Sequence, residues 1–259
     1  IKKGAKIDKD VKYEEINYYL EKSERSNSFI SERLNELYNN DETDIDYLNF
    51  KSRMAFRDEK YRSALIFANK ALKIDPYNII ATKNKGLADY NKGNIKSGID
   101  SLDTYVHKVK DDFEILCIIG EYHYKQNRIN KALYYYSNAE KINDKNYNCN
   151  FKLARIYQRK KKLEEAIKYY DKCVEISEIT DDIDSCFNYK GCIYYDKGLY
   201  NEALECFKSA YISYQDNVYL ENIKLALKEI HKNYRTIYKD IVKELKAAKH
   251  YIFMEYFII

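Results

Sequence analysis

The sequence predicts an all-α protein in which antiparallel helix pairs stack side by side as an α-solenoid. Only seven glycines and one proline occur in 259 residues, although sheets and loop-rich folds need these residues at their turns. Small and aromatic residues recur at a fixed interval along most of the chain. Within each interval, apolar residues follow one another every three or four positions, as on one face of a helix. These observations together indicate long helices joined by short turns.

The interval is 34 residues, and four sets of positions share it. The sets are Gly86, Gly120, Ala154 and Gly191; Ala64, Gly98, Ala132, Ala166 and Ala203; Ala68, Leu102, Tyr136, Tyr170 and Phe207; and Ala71, Tyr105, Ala139, Cys173 and Ala210. In every set the last step is 37 residues instead of 34. Because all four sets lengthen at the same place, the periodicity is a property of the chain, with three residues inserted before the fifth repeat.

Each repeat is predicted to form two helices. In residues 184–217 the first is SCFNYKGCIYYDKG and the second is YNEALECFKSAYISY. Gly198 lies between them, where a helix end needs a residue in the left-handed conformation, and Gly93 and Asn127 hold the equivalent place in two other repeats. The small residues of the four sets let neighbouring backbones approach, and the aromatic ones fill the gaps between repeats.

Residues 190–210, KGCIYYDKGLYNEALECFKSA, resemble the signature of the tetratricopeptide repeat at Gly191, Tyr194, Gly198, Tyr200, Ala203, Phe207 and Ala210. Residues 153–173 and 60–76 also match it, the latter with a closing Pro76. The unit 79–112 matches less well, with Gly98 in place of alanine and Tyr105 where a small residue is usual, and the chain has no tryptophan. The resemblance implies a right-handed superhelix of five repeats, over 45–78, 79–112, 113–146, 147–180 and 184–217.

The flanking segments are less regular, as expected for units that cover the ends of a stacked core. Residues 1–44 are predicted to form a degenerate helix pair, or cap, with its helices within 11–39. Its inward residues would be Ile16, Leu20, Ile30, Leu34 and Leu37. Residues 218–259 are predicted to form C-terminal capping helices, with a longer helical pair over 218–254.

Cysteine usage favours an intracellular, cytoplasmic protein, and the charge balance bears on its partners. Lys and Arg number 45 against 41 Asp and Glu, a balance that makes nucleic acid an unexpected partner. The six cysteines include no C-x-x-C pair and are interpreted as reduced thiols.

No transmembrane span is expected, because the longest apolar stretch, Tyr251 to Ile259, is too short to cross a bilayer. The first residue, Ile1, and the apolar end suggest a piece of a longer or processed protein. The abundance of isoleucine, asparagine, lysine and tyrosine is typical of an AT-rich genome and carries no functional meaning.

No pattern of catalytic residues is present. The chain has no glycine-rich phosphate loop, no H-E-x-x-H and no G-x-S-x-G. The four histidines lie in different units, and the basic run RKKK at 159–162 falls on a turn, where a solvated surface is expected. The sequence therefore predicts that the protein is not an enzyme and has no cofactor, metal site or small-molecule substrate.

The resemblance implies that the first helix of each repeat lines a concave face that binds a partner. The lining residues would be Asn49, Arg53, Phe56, Lys83, Leu87, Tyr90, Glu121, Tyr124, Lys125, Phe151, Arg155, Arg159, Asn188 and Tyr195. Aromatic residues and arginine often anchor interfaces. We therefore expect a protein or peptide partner, extended or helical, with apolar anchors and some acidic residues. Alternatively, Tyr90, Tyr124 and Tyr195 pack within their own helix pairs.

The predicted function is a scaffold or adaptor for protein–protein interaction. Two alternatives are an interaction domain of a larger enzyme or of a membrane-anchored protein, and, more distantly, an RNA-binding protein. A receptor for the acidic tails of chaperones, a known role in this family, is disfavoured. Asn84 matches one asparagine of that clamp, but Asn49 and Arg53 replace its lysine and its other asparagine, and Glu114 and Ile118 replace its last basic pair.

Overall fold

The computed structural model describes residues 8–22, 26–177 and 180–256, and these residues contain helices but no strand. The helices in these ranges are α1 (Lys9–Lys22), α2 (Asn27–Tyr38), α3 (Ile45–Arg57), α4 (Tyr61–Ile74), α5 (Ile79–Lys92), α6 (Ile95–Lys108), α7 (Phe113–Lys125), α8 (Ile129–Ile142), α9 (Tyr147–Arg159), α10 (Leu163–Ile176), α11 (Thr180–Asp196), α12 (Tyr200–Ser213) and α13 (Asn217–Tyr256). They belong to two compact units that divide between Gln126 and Asn127.

Successive helices pack as pairs within each unit, which confirms the predicted all-α repeat fold. In the first unit α3 packs on α4 and α5 on α6, and α4 joins the two pairs by packing on α5. In the second unit α9 packs on α10 and α11 on α12, and α10 packs on α11. Each helix covers the apolar flank of the next, so the core of each unit is a continuous layer between neighbouring pairs.

The first helices of four repeats begin with the same side-chain cap. Asp44, Asn78, Asp112 and Asn146 are spaced by 34 residues and precede α3, α5, α7 and α9. Each accepts a hydrogen bond from a backbone N–H two or three residues later, for example from Ala81 to Asn78 at 2.9 Å. Such caps satisfy N–H groups that have no partner inside the helix, and each contributes roughly 1 kcal/mol of stability.

Each turn between the two helices of a pair contains one residue with positive φ at the equivalent position. These residues are Glu59, Gly93, Asn127, Lys161 and Gly198, again spaced by 34, 34, 34 and 37. In four of the turns the next residue donates its backbone N–H to the carbonyl five residues earlier, as Asn94 does to Asp89 at 2.9 Å. This bond closes the end of the first helix. The predicted left-handed positions Gly93, Asn127 and Gly198 are therefore confirmed.

The small residues of the repeat lie where helices approach most closely. Ala64, Ala132, Ala166 and Ala203, which share one position of the repeat, are fully buried. Gly98 holds the same position in the second repeat, and a Cβ atom built there would lie 2.6 Å from the backbone nitrogen of Tyr90. Even alanine would collide with the backbone of α5, so the departure from the repeat pattern at Gly98 reflects a closer helix contact.

The structure contains the helix pair predicted at the N-terminal end but not the one predicted at the C-terminal end. At the N-terminal end α1 and α2 form the expected pair, with Ile16, Ile30, Leu34 and Leu37 buried and Leu20 partly buried against them. The predicted helical pair over 218–254 is wrong, since α13 is one helix of 40 residues. No glycine or proline occurs between Asn217 and Tyr256, so nothing in this segment favours a turn.

Candidate functional site

Four of the predicted partner-binding residues line one cavity in the first unit. Arg53 and Phe56 on α3 and Lys83 and Leu87 on α5 border a cavity of about 370 Å³. The remaining lining residues are Tyr13, Asn17, Glu21, Ile80, Asn84, Tyr105 and Glu114. Both α3 and α5 are first helices of their pairs, and equivalent positions on them are 34 residues apart. The repeat therefore places their side chains side by side on the same face.

The N-terminal helix α1 also contributes to this cavity. Arg53 donates a hydrogen bond of 2.7 Å to the side-chain oxygen of Asn17 and one of 3.3 Å to the carboxylate of Glu21. The Arg53 side chain is 28% exposed, so solvent and a partner can still reach it. A helix outside the predicted repeats thus supplies acceptors to a predicted site residue.

Lys83 is held by a second acidic residue. Its ammonium group lies 2.6 Å from a carboxylate oxygen of Asp112, which also accepts a hydrogen bond of 2.9 Å from the hydroxyl of Tyr105. Burial alone would raise the pKa of Asp112. The hydrogen bond and charge of Lys83, together with the hydrogen bonds from the Ile115 backbone and the Tyr105 hydroxyl, outweigh burial and hold that pKa below its ordinary value. Burial, together with the bond to this carboxylate, raises the pKa of the Tyr105 hydroxyl. Asp112 therefore holds both Lys83 and Tyr105, two residues of the cavity wall, in place.

Asn49 does not reach the surface that it was predicted to line. Its side chain is only 2% exposed and donates a hydrogen bond of 3.2 Å to the side-chain oxygen of Asn78, the cap of α5. The backbone carbonyl of Asn49 accepts a bond of 3.2 Å from the side chain of Asn84. Through these two bonds Asn49 and Asn84 join α3 and α5.

The aromatic side chains divide between packing inside a pair and lining a surface. The rings of Phe56 and Tyr61 lie 5.5 Å apart, and those of Tyr195 and Tyr200 lie 5.2 Å apart. Both contacts join the two helices of one pair, as the alternative interpretation of Tyr195 held. Phe56 nevertheless also borders the cavity, so one ring serves both purposes.

The remaining predicted residues of the first unit lie on α5 and α7. Tyr90, Tyr124 and Glu121 are half-buried, and Lys125 is exposed. The ammonium group of Lys125 lies 3.5 Å from the carboxylate of Glu121, four residues earlier on the same helix. An exposed pair of this kind contributes little to stability.

In the second unit the predicted residues Phe151 and Arg155 lie in a group of stacked aromatic rings. The guanidinium carbon of Arg155 is 3.8 Å from the centre of the Tyr189 ring. Tyr189 stacks on Tyr170 at 5.9 Å, and Phe151 stacks on Tyr147 at 5.8 Å. A cation held over an aromatic face is a strong anchor where water is partly excluded. The half-buried Phe151, Arg155 and Tyr189 can offer flat apolar contact and hydrogen bonds to a partner.

The other predicted residues of this unit are less closely associated with that group. Asn188 accepts a hydrogen bond of 2.8 Å from the side chain of Asn222 on α13. Arg159 is exposed at the end of α9. The C-terminal helix α13 therefore fixes the side chain of Asn188 in the same way that α1 fixes Arg53.

Sequence reasoning missed several residues that shape these surfaces. Asn17 and Glu21 lie outside the repeats, so no periodic position pointed to them. Asp112 could have been found from its spacing, because it belongs to the 34-residue series of helix caps. Tyr189 stands one position after Asn188, and only the stacking against Arg155 distinguishes it from other tyrosines.

The remaining chemistry of the described residues is limited. All six cysteines are free thiols, and neighbouring Cys186 and burial raise the pKa of Cys173. Among the side chains that the structure describes, no group of three or more His, Cys, Asp or Glu is placed to hold a metal ion. No helix in the described part of the chain is both long enough and apolar enough to cross a bilayer.

Comparison with known proteins relates the chain to one repeat family. A sequence profile described as tetratricopeptide repeat matches residues 146–216. The TPR repeat-containing protein MJ1428 of Methanocaldococcus jannaschii is 35% identical over 144 residues, which are 55% of this chain and 25% of that protein. The chain thus spans about a quarter of the length of this relative.

Solved structures of repeat proteins share the fold. The TPR protein YrrB superposes with a TM-score of 0.64 and 20% identity, over 74% of this chain and 97% of YrrB. A MamA protein superposes with a TM-score of 0.57 and 22% identity, over 67% of this chain and 93% of MamA. MamA from Desulfovibrio magneticus RS-1 gives a TM-score of 0.52 and 17% identity, over 67% and 96% of the two chains. At these identities the likeness concerns the fold alone.

Proposed function

Because residues 146–216 match the tetratricopeptide-repeat profile and the helix pairs share the fold of a solved TPR protein, we propose that the chain is a scaffold for protein interaction. In this proposal it binds a peptide segment of a partner protein in the cavity of its first unit, without catalysis. The central observation is that Arg53, Phe56, Lys83 and Leu87 come together around one cavity. The resemblance to the tetratricopeptide repeat had implied these residues as lining positions, and they combine apolar surface with two cations. A cavity of this composition suits an extended or helical segment.

The likeness to YrrB supports a peptide as the class of ligand. YrrB is described as a TPR protein with an unusual peptide-binding site. Its fold covers about three quarters of the present chain. The proposal that the present chain binds a peptide goes beyond this likeness and depends mainly on the cavity itself.

The charges around the cavity define what the segment should carry. Arg53 and Lys83 are 28% and 33% exposed, and both already contact acidic residues of the chain, Glu21 and Asp112. An acidic residue of a partner would compete with Glu21 for Arg53, whereas Lys83 is more firmly held by a short contact to a half-buried carboxylate. An apolar side chain would contact Phe56 and Leu87. The proposed ligand is therefore a segment with one apolar anchor and an acidic residue next to it.

The aromatic group of the second unit is a second proposed contact surface. Arg155 over Tyr189 and the stacked Phe151 present the residue types that dominate protein interfaces. Their rings hold one another in position, so little conformational entropy is lost when a partner packs on them.

The proposal can be tested by selecting peptides from a random displayed library on the purified 259-residue chain. A labelled selected peptide is then titrated against the original chain and against Leu87→Glu, which introduces a charge at the cavity. Ile66→Glu is the matched control, because Ile66 is 56% exposed on α4 and lies outside the cavity. We expect at least a tenfold weaker affinity for Leu87→Glu, since a buried apolar contact and an unpaired charge each cost roughly 1 kcal/mol or more. Equal binding by both variants would refute the cavity as the site.

A further inference from the structure

The second half of α13 carries an exposed apolar row. Ile230, Tyr234 and Ile237 fall within about 60° of one another around a helix of 3.6 residues per turn. Ile230 is half-buried against the last helix pair, whereas Tyr234 is 65% exposed and Ile237 is 53% exposed. In the sequence the same spacing continues at Ile241, Leu245, Ala248 and Ile252. The row thus begins in the core of the unit and runs onto its surface.

The exposed row continues onto the neighbouring turn. Tyr234 and Ile237 border a shallow cavity of about 340 Å³ together with Leu199, which is 38% exposed in the turn between α11 and α12. These three apolar side chains form one patch on the surface. A continuous exposed patch of this kind marks a place where a protein contacts another molecule or a membrane.

A basic row occupies the opposite face of the same helix. Lys232, Arg235, Lys239 and Lys243 are exposed and follow one another at three- and four-residue spacing. In the sequence the row begins at Lys228 and continues at Lys246 and Lys249. At 100° per residue these positions centre on the side of the helix away from Tyr234 and Ile237.

The basic row accounts for the net charge of the chain. Residues 228–250 contain seven lysines and arginines and three acidic residues, Glu229, Asp240 and Glu244, an excess of four. The formal net charge of all 259 residues is also +4, so the rest of the chain is balanced. The positive charge is therefore concentrated on the helix that also carries the exposed apolar row.

We propose that α13 from Tyr234 onward lies along the surface of a membrane that contains anionic lipids. The apolar row enters the boundary between headgroups and acyl chains, and the lysines and arginines contact the anionic headgroups. Long basic side chains can do this from the sides and back of a helix, because their aliphatic parts extend over the apolar surface while the charges stay in water. A basic amphipathic helix is the arrangement that suits such a surface.

The charge pattern favours a lipid surface over a second copy of this chain. If two α13 helices paired along the apolar row, the exposed Lys232, Arg235, Lys239 and Lys243 would lie on the side away from the contact. A second copy would therefore supply no acidic partner to the basic row. Anionic lipids instead complement the whole basic row.

The proposal is tested by co-sedimentation of the 259-residue chain with vesicles of phosphatidylcholine alone and of phosphatidylcholine mixed with phosphatidylserine. We expect binding to the mixed vesicles and much weaker binding to phosphatidylcholine alone. Arg235→Glu combined with Lys239→Glu should reduce binding to mixed vesicles by at least about 25-fold, since each basic residue near such a surface contributes roughly fivefold. Ile237→Asp should reduce it at least about tenfold, because it places a charge in the apolar row.

A matched control has the same net charge as the Arg235→Glu, Lys239→Glu variant. Lys92→Glu combined with Lys131→Glu makes the same charge change at exposed lysines within the repeats and should leave vesicle binding unchanged. Circular dichroism of each variant verifies that the helices are intact. Binding that is absent, equal on both vesicle types, or equally weakened by the control pair would overturn the proposal. The proposal would also be overturned if the original chain does not bind vesicles and ultracentrifugation shows that it is a dimer which Ile237→Asp converts into a monomer.

Discussion

Arg53 on α3 donates a hydrogen bond of 2.7 Å to the side-chain oxygen of Asn17 on α1. The bond joins a residue of the first repeat to a helix that precedes the repeats. Glu21, one turn further along α1, accepts a second bond from the same guanidinium. The N-terminal pair is therefore more than a cover for the core. It contributes polar groups to the cavity in which we propose that a peptide binds.

Removing the α1 acceptors should strengthen binding of an acidic peptide. In the double variant Asn17→Ala and Glu21→Ala, Arg53 loses both internal acceptors, so a carboxylate of the ligand no longer competes with them for the guanidinium. We expect affinity to rise about threefold to tenfold, because partly exposed charged hydrogen bonds contribute roughly 1 kcal/mol. Titration of the selected peptide measures this change. Glu14→Gln removes one charge from an exposed position of α1 and should leave affinity unaltered. An equal gain from this control would assign the effect to net charge instead of Arg53.

Substitution of Gly98 tests the close contact between α6 and α5. Glycine inside a helix usually costs stability, so Gly98→Ala would normally be stabilising. Here the added Cβ would lie 2.6 Å from the backbone nitrogen of Tyr90 and 2.8 Å from the carbonyl oxygen of Gly86. Because backbone atoms cannot rotate away, we expect a loss of roughly 1–3 kcal/mol in the free energy of unfolding. Urea denaturation measures it, and a stabilised variant would show that the helices separate easily.

The positive φ values of the turns predict opposite effects at two equivalent positions. Lys161, with φ of 57°, holds a conformation that strains any residue with a Cβ, so Lys161→Gly should stabilise the protein by about 0.5–1 kcal/mol. Gly93, with φ of 100°, should lose about 1 kcal/mol when replaced by lysine. Denaturation midpoints of the two variants provide the comparison. Shifts of the same sign would contradict the left-handed geometry of these turns.

The Lys83–Asp112 pair predicts a dependence of stability on pH. The pKa of Asp112 lies below its ordinary value of 3.8 in the folded chain, so folding favours its ionised form. Its contribution is fully present above the ordinary value and is lost as pH falls through the lowered pKa. Asp112→Asn keeps the size of the side chain and can still cap α7. The difference in unfolding free energy between the original chain and this variant should therefore be largest near neutral pH and narrow towards pH 3. A difference that grows on acidification would contradict the ion pair.

Much of the fold could be predicted because small residues recur at the same interval as the helix pairs. Positions such as Ala64 and Ala166 must be small wherever two helices cross, so the same interval recurs in the sequence and in the buried core. Left-handed turns were predictable at Gly93 and Gly198 because glycine adopts that conformation readily. Glu59 and Lys161 adopt it as well, but nothing in their side chains indicates it, since the surrounding helix pair imposes the turn.

The candidate site was predictable only where it follows the repeat. Arg53, Phe56, Lys83 and Leu87 were predicted because the family resemblance assigns their repeat positions to the lining face, and all four border one cavity. The acceptors Asn17 and Glu21 could not be found, because they depend on how an irregular end helix packs. The uninterrupted α13 was missed for a related reason. A helical pair was expected by analogy with the repeats, although the segment contains no residue that ends a helix.

The most direct test of the central claim is photo-crosslinking of the selected peptide to benzoylphenylalanine introduced at Leu87 or, separately, at Ile66. Both positions belong to the first unit, but only Leu87 borders the cavity. We predict a crosslinked product from position 87, identified by mass spectrometry and suppressed by excess unlabelled peptide, and none from position 66. Crosslinking at position 66 in the absence of any product at position 87 would contradict binding in the cavity.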